Sequence, residues 1–289
     1  MAAGFMGIRK KIFIVIFIIV ALFLFFYWQN NDIVTTSVVY SDTGVPAAFD
    51  GFRILQVSDL HNKEFGKNQA GLAKLTKKLQ PDIIVITGDL IDSQRPDVRI
   101  SMDYVKQAVN IAPVYFITGN HEKRSDKYPE LGRQLREAGV IMLDDRAVLL
   151  KKDEEIIVLL GVGDPYFLPE DSGRDQIMED TIHTISKEVT GTFKILLSHR
   201  PELIELYASQ DIDLVFSGHA HGGQFRIPFI GGLYAPNQGF FPKYTNGVIV
   251  NKNTSMVVSR GLGNSVIPVR IFNRPELVTV TLKHEGETD

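Results

Sequence analysis

Apolar residues in this chain fall in short runs, and several of these runs end in a cluster of polar side chains. FRILQVSDLH (Phe52 to His61), DIIVITGD (Asp82 to Asp89), VYFITGNH (Val114 to His121), FKILLSHR (Phe193 to Arg200) and IDLVFSGHAHGGQ (Ile212 to Gln224) share this order. Continuous apolar runs bounded by turn residues read as strands buried on both faces, as in parallel sheets. Helix-period segments at Asn68 to Leu79 and Pro96 to Asn110 separate the first three, so the chain opens as successive β-α-β steps. A third helix is expected over Ser125 to Ala138, closed by Gly139 as its C-cap. Three runs follow, VIMLD, AVLLK and IIVLLGV, and read as a meander making the second sheet of a sandwich. A polar loop and helix are expected within Asp164 to Ser186, and another helix over Pro201 to Ser209. Phe225 to Tyr244, rich in Gly, Pro and aromatics, reads as an ordered loop. Strands at Val248 to Val250, Met256 to Ser259, Val266 to Phe272 and Leu277 to Leu282 close the chain. Layered α/β folds gather ligands outside the carboxyl ends of their strands, so the polar clusters are expected to meet at one place.

One apolar run is of another kind. Ile12 to Trp28 is uncharged and almost wholly apolar, at the short end of what spans a bilayer. Arg9, Lys10 and Lys11 precede it, Gln29 to Asp32 follow it, and Tyr27 and Trp28 sit where aromatic belts sit. The positive-inside rule then places the amino terminus in the cytoplasm and the rest of the chain outside. A cleaved signal peptide is the competing reading, but no A-x-A site follows closely. The expected layout is a cytoplasmic start and transmembrane anchor (1–29), a linker (30–50) with room for one edge strand at Ile33 to Tyr40, and a catalytic domain (51–289).

The chain has 289 residues, 44% of them hydrophobic, enough for a sizeable core. Its net charge of −3, without long single-sign runs, carries no nucleic-acid footprint. It has no cysteine, which excludes disulfides, thiolate metal sites and a cysteine nucleophile. Oligomeric state is not legible.

The strand-end residues Asp59, His61, Asp89, Asn120, His199, His219 and His221 make a set of two carboxylates, four imidazoles and one amide. That set is too large for one tetrahedral ion and suits two adjacent divalent cations of the Mn, Fe or Zn type. Two such ions less two carboxylates leave a formal charge of about +2, which attracts phosphate oxygens. A hydroxide between the ions would be the nucleophile of a phosphoester hydrolysis.

The ordered motifs SDLH, GDL, GNHE, SHRP and GHAHGG resemble the calcineurin-like metallophosphoesterases over roughly Gly51 to Lys283. The resemblance implies a four-layer α/β/β/α sandwich and hydrolysis of a phosphoester. It implies Asp59, His61, Asp89 and His221 on one ion and Asp89, Asn120, His199 and His219 on the other, with Asp89 bridging. It also implies His121 as general acid or transition-state stabiliser. The alternative for His121 is a hydrogen-bond donor that only orients its neighbours, while Glu122 reads as orienting the imidazole. Arg200 reads as a phosphate contact or a surface salt bridge, and His183 and His284 as structural or solvated. QGFFPKYTNGV and SRGLGNSVIPVRIFNRPEL resemble the membrane-associated, YkuE- and YaeI-like phosphodiesterase branch, with Lys243, Tyr244, Arg260 and Asn264 as weak candidates for the cleft. Anchored members of the family hydrolyse the pyrophosphate bond of UDP-diacylglucosamine, which implies a lipid-linked or envelope substrate here. A phosphomonoesterase, including a protein phosphatase, and a non-catalytic metal-binding scaffold remain as alternatives.

Overall fold

A computed structural model describes residues 2–187, 189, 193–264 and 268–286. The strands are β1 (Val34–Asp42), β2 (Arg53–Val57), β3 (Ile83–Thr87), β4 (Val114–Ile117), β5 (Ile141–Met142), β6 (Arg146–Lys152), β7 (Glu155–Gly161), β8 (Phe193–Leu197) and β9 (Leu214–Ser217). Three later ones, Gly247–Asn251, Thr254–Val258 and Glu276–His284, complete two sheets of six strands each. In the first, the order is β1, Glu276–His284, β2, β3, β4, β5, and β2 to β5 run parallel. In the second it is Gly247–Asn251, Thr254–Val258, β9, β8, β7, β6, with β7, β8 and β9 parallel.

Three buried clusters account for the alternation along these strands. Ile54, Val85, Ile117, Leu159, Phe193, Leu197 and Phe216 belong to the cluster shared by both sheets. Leu55, Ile84, Ile86 and Phe116 turn the other way, onto helices α2 (Ala70–Leu79), α3 (Val98–Ala108) and α5 (Tyr128–Glu137) through Leu72, Met102, Val105 and Leu131. Leu160, Leu196, Val215 and Met256 pack on α6 (Arg174–Lys187) and α7 (Ile204–Ser209). Each central strand is therefore apolar on both faces, as its unbroken sequence run predicts.

The outcome differs from the sequence reading in four places. VIMLD does not join the meander: its Ile141 and Met142 pair in parallel with β4 in the first sheet. The reason is the helix before it, since α5 makes the segment the end of another β-α-β crossover. Residues 30–50 are not a free linker, because β1 pairs along its whole length with Glu276–His284 and Phe49 is fully buried. The alternation VTTSVVYSD carries an edge strand, longer than the one expected. Of the strand expected at Val266 to Phe272, Val266 and Ile267 lie outside the described residues, and the rest forms only an isolated bridge from Ile271 to Phe225. Phe225 to Tyr244 folds into two small ribbons, Arg226–Ile227 with Gly231–Gly232 and Tyr234–Ala235 with Gly239–Phe240.

The first helix, α1, runs over Ala2–Asn31, and its Ile8–Asn31 portion is long and apolar enough to cross a membrane. Among the described residues, it is the carboxyl end of α1 that meets the rest of the chain. Asn30 accepts from the Arg270 backbone N–H at 2.8 Å, Lys63 donates to Asn31 at 2.9 Å, and the Phe25 ring lies 5.8 Å from that of Phe272.

Candidate metal centre

Parallel pairing puts the carboxyl ends of β2, β3 and β4 on one edge of the first sheet and those of β8 and β9 on one edge of the second. Hydrogen bonds then join the two edges. His199 Nδ1 donates to the Thr87 carbonyl at 2.7 Å, the Gln56 amide donates to the Ser217 carbonyl at 2.9 Å, and the His219 N–H donates to Asp59 at 3.1 Å.

The metal-competent atoms of Asp59, His61, Asp89 and His221 lie within 4.8 Å of one another, as do those of Asp89, His199 and His219. Asp89 belongs to both groups. Its Oδ2 is 3.6 Å from His61 Nε2 and 3.2 Å from His199 Nε2, while Asp59 Oδ1 is 3.4 Å from His221 Nε2. Two imidazole nitrogens, His61 Nε2 and His221 Nε2, come to 3.1 Å, and His219 Nδ1 and His199 Nε2 to 3.2 Å. These are spacings of donors that share a cation about 2 Å away. Asn120 lines the same cleft as Asp89, and its side-chain oxygen is buried with no hydrogen-bond partner among the described residues. A buried amide oxygen without a donor is costly unless something positive faces it.

Protonation follows the same logic. Burial lowers the pKa of His219 and His221 well below the usual value, and the guanidinium of Arg200 beside the one and of Arg270 beside the other adds to this. Both imidazoles are thus neutral, the form that binds metal. The His219 ring is held from its far side: Nε2 lies 2.9 Å from both Asn237 Oδ1 and Arg200 Nη1, while Nδ1 is turned to His199 Nε2 in the cluster. Arg200 also donates to Asn237, at 2.6 Å, and so holds that amide in place. His199 is the opposite case. Burial alone would lower its pKa, but Asp89 against Nε2 pushes it up to about 10, so the proton there stands where a cation would. Burial raises Asp59 to about 6, whereas the imidazoles around Asp89 outweigh its burial and hold it well below the carboxylate range.

The backbone is bent to make room. Asp59, His61, Asp89, His219 and His221 all have positive φ, between 45° and 65°, a conformation that non-glycine residues adopt at a cost. Gly119 stands so close that a Cβ there would lie 2.3 Å from Asp89 Oδ1, and one on Gly218 would lie 2.5 Å from Asp59 Oδ2. The N/O donor set, the unpartnered amide oxygen and the space kept free of Cβ atoms all suit a pair of divalent cations.

Glu122, expected to orient His121, does something else. Its carboxylate accepts the backbone N–H groups of Gly119, Asp89 and Leu90, each at 2.8 Å, and so clamps the loop that carries Asp89. Its place in the first turn of the short helix α4 (Asn120–Arg124) turns it back toward that loop. His121 Nδ1 instead accepts the Ser93 N–H at 3.0 Å, so the neutral ring carries its proton on Nε2. The His121 ring packs edge-on to His61, with centroids 4.4 Å apart, and lines the cleft.

Above the cluster lies a cleft of about 630 Å³. One wall is Pro165, Tyr166 and Arg174, the other Tyr234, Pro236 and Asn237. Arg200 reaches it, but its fork is engaged: Nε and Nη2 donate to Asp164 at 2.6 and 2.9 Å. The four weaker candidates do not line it. Lys243 is fully exposed and stacks over Tyr244, whose ring packs against the outer core of the second sheet. Arg260 pairs with Glu276 at 2.9 Å. Asn264 faces the end of α1, with its amide 3.3 Å from Asn30. These residues stand near the family-like tail in sequence, and their described partners lie outside the cleft. Arg124, Tyr166, Arg174 and Asn237 are among the cleft residues that no motif announces. Arg124 and Arg174 both lie over the Tyr166 ring, at 4.4 and 5.5 Å. Arg124 was within reach, being one helical turn after His121; Asn237, in an irregular loop, had no local signal.

Comparison with known proteins agrees with this geometry. The model of the calcineurin-like phosphoesterase family matches residues 52–223. The uncharacterized metallophosphoesterase YkuE of Bacillus subtilis is 30% identical over 257 residues, 86% of this chain and 85% of its own. Phosphodiesterase YaeI of Escherichia coli is 25% identical over 236 residues, covering 80% and 82%. A transmembrane protein with a metallophosphoesterase domain from Danio rerio is 29% identical over 247 residues, 83% of this chain and 55% of its own, so this chain spans about half of that relative. With the family match over more than half its length and a buried N/O cluster at the strand ends, the chain belongs to the calcineurin-like phosphoesterases, metal-dependent hydrolases of phosphoester bonds.

Proposed function

We propose that the chain is a membrane-anchored phosphodiesterase that cleaves a phosphodiester or pyrophosphate link in a lipid-linked or cell-envelope substrate, with its catalytic part outside the cytoplasm. The observation that carries the reading is Asp89, shared between two ligand clusters beneath a walled cleft. Asp59, His61, Asp89 and His221 would hold one divalent cation, and Asp89, Asn120, His199 and His219 the other. Such a pair supplies Lewis-acid polarisation of phosphate oxygens and an activated water. The rest falls to side chains. Arg124 and Arg174, spread over Tyr166, receive the anionic part of the substrate beyond the reacting phosphate. His121, with its proton on Nε2, donates to the departing alkoxide, which near neutral pH needs one. Glu122, Asn237 and Arg200 position the ligands without touching substrate.

The phosphodiester reading is preferred to a protein phosphatase because two loops, through Pro165, Tyr166 and Arg174 and through Tyr234, Pro236 and Asn237, both line the cleft over the cluster. The name of YaeI points the same way. The anchor rests on α1 and on the transmembrane relative, and the orientation on Arg9, Lys10 and Lys11 ahead of the apolar run.

The test is to purify the full chain in detergent, count Mn, Fe and Zn per chain, and assay phosphomonoesters beside phosphodiesters. Two metals and faster diester turnover are expected, with Asp89→Asn losing metal and nearly all turnover. Undiminished turnover in that variant removes the bridging role. A reporter fused to the carboxyl terminus reads orientation, and a cytoplasmic signal overturns it.

A further inference from the structure

The ribbon Arg226–Gly232 beside the cleft carries a tip whose large apolar side chains stand open. Phe229 is 110% exposed and Ile230 66%, and Phe229 holds a positive φ of 68° in the turn. A soluble surface rarely keeps adjacent large apolar residues so open. The ribbon is tied to the end of α1. Phe225 bridges Ile271, and the Arg226 N–H donates to the Ile271 carbonyl at 3.0 Å. The next residue, Phe272, is 53% exposed and packs on Phe25, a turn inside the apolar run of α1. Arg274 lies over the Trp28 ring at 4.8 Å, an aromatic and a cation together, as at a bilayer interface. If Phe25 lies in hydrocarbon, Phe272 is beside it at that depth.

We infer that Phe229, Ile230 and Phe272 form a second membrane contact: the ribbon tip enters the interface of the bilayer that α1 crosses. The cleft wall at Tyr234 and Pro236, which follows the ribbon in the chain, is then held near the lipid headgroups. A phosphate ester of a membrane-embedded amphiphile would reach it without leaving the bilayer. This rests on the reading of α1 as an anchor, and the experiment separates the two.

The chain has no cysteine, so single labels can be placed at will. Phe229→Cys, Phe17→Cys and Lys152→Cys, the last exposed on β6 at the far end of the second sheet, each take an environment-sensitive fluorophore in the full-length protein. Reconstitution uses phosphatidylcholine vesicles containing doxyl-labelled phosphatidylcholine, after checking that each variant melts as the parent does. The labels at positions 17 and 229 should lose most of their emission while that at 152 keeps it. Quenching at 17 without quenching at 229 overturns the ribbon contact and leaves the anchor. So does a signal at 229 that changes only with protein-to-lipid ratio, which marks a second copy as the occupant. Quenching at neither overturns both.

Discussion

Among single residues, the clearest assignments follow from which nitrogen holds a proton. Ser93 N–H at His121 Nδ1 leaves the proton of the neutral ring on Nε2. His121→Gln is therefore expected to cut turnover of alkyl diesters about 10²- to 10⁴-fold and to spare p-nitrophenyl esters, whose leaving group needs no proton. Equal losses on both would point to a role in orientation alone. Asn237 is the residue no motif announces. Its oxygen lies against His219 Nε2 and holds that ring in place, so Asn237→Ala should weaken binding of one of two metals by about 10- to 100-fold, read by calorimetric titration. Metal affinity unchanged at both sites would mean that this contact does not position the ring. Asp59, His61, Asp89, His199, His219 and His221 were legible because each directly follows an apolar strand. Asn237 was not, because it reaches His219 through a fold of the loop and not through spacing.

Elements bring these residues together by running parallel. A β-α-β repeat puts every carboxyl end on one edge, and Asp144 shows how such an end is held. It follows β5, and its Oδ1 accepts the Thr118 N–H and hydroxyl at 2.8 and 3.0 Å, at the end of β4. Burial raises its pKa from 3.8 to about 6 despite those two bonds. The folded chain thus holds a proton there that the unfolded chain releases, and it loses stability as pH rises from about 4 to 6. Above that window the penalty is complete, at most about 3 kcal/mol at 1.36 kcal/mol per unit. Asp144→Asn keeps an acceptor for both bonds, so its melting temperature should exceed the parent's at pH 8 and match it near pH 3.5 (about the unfolded value). An equal gain at both pH values would mean that ionisation is not the cause. Strand β5 also marks a limit of pattern reading. VIMLD looks like one more strand of a meander, and only the helix before it decides which sheet it joins.

For the whole molecule, two sheets that share one apolar core also share one charged edge, where the buried carboxylates of Asp59 and Asp89 sit among four imidazoles, with the buried guanidiniums of Arg200 and Arg270 beside them. Such a centre is held best when cations occupy it. Chelation should lower the melting temperature and Mn²⁺ or Zn²⁺ restore it, with about 4 kcal/mol expected when metal stands a thousandfold above its Kd. A melting temperature indifferent to chelator would mean that the centre is built without metal. The strand runs, the order of polar clusters and the donor chemistry were determined by the sequence, because apolar periodicity and ligand type are local properties of the chain. What only the tertiary structure decided is where chain segments far apart meet: Glu122 on the Asp89 loop, Asn237 on His219, Arg200 on Asp164, and α1 on the Arg270 segment. Those pairings come from crossovers and loop paths, and no local pattern encodes the distance between two points that the fold brings within one hydrogen bond.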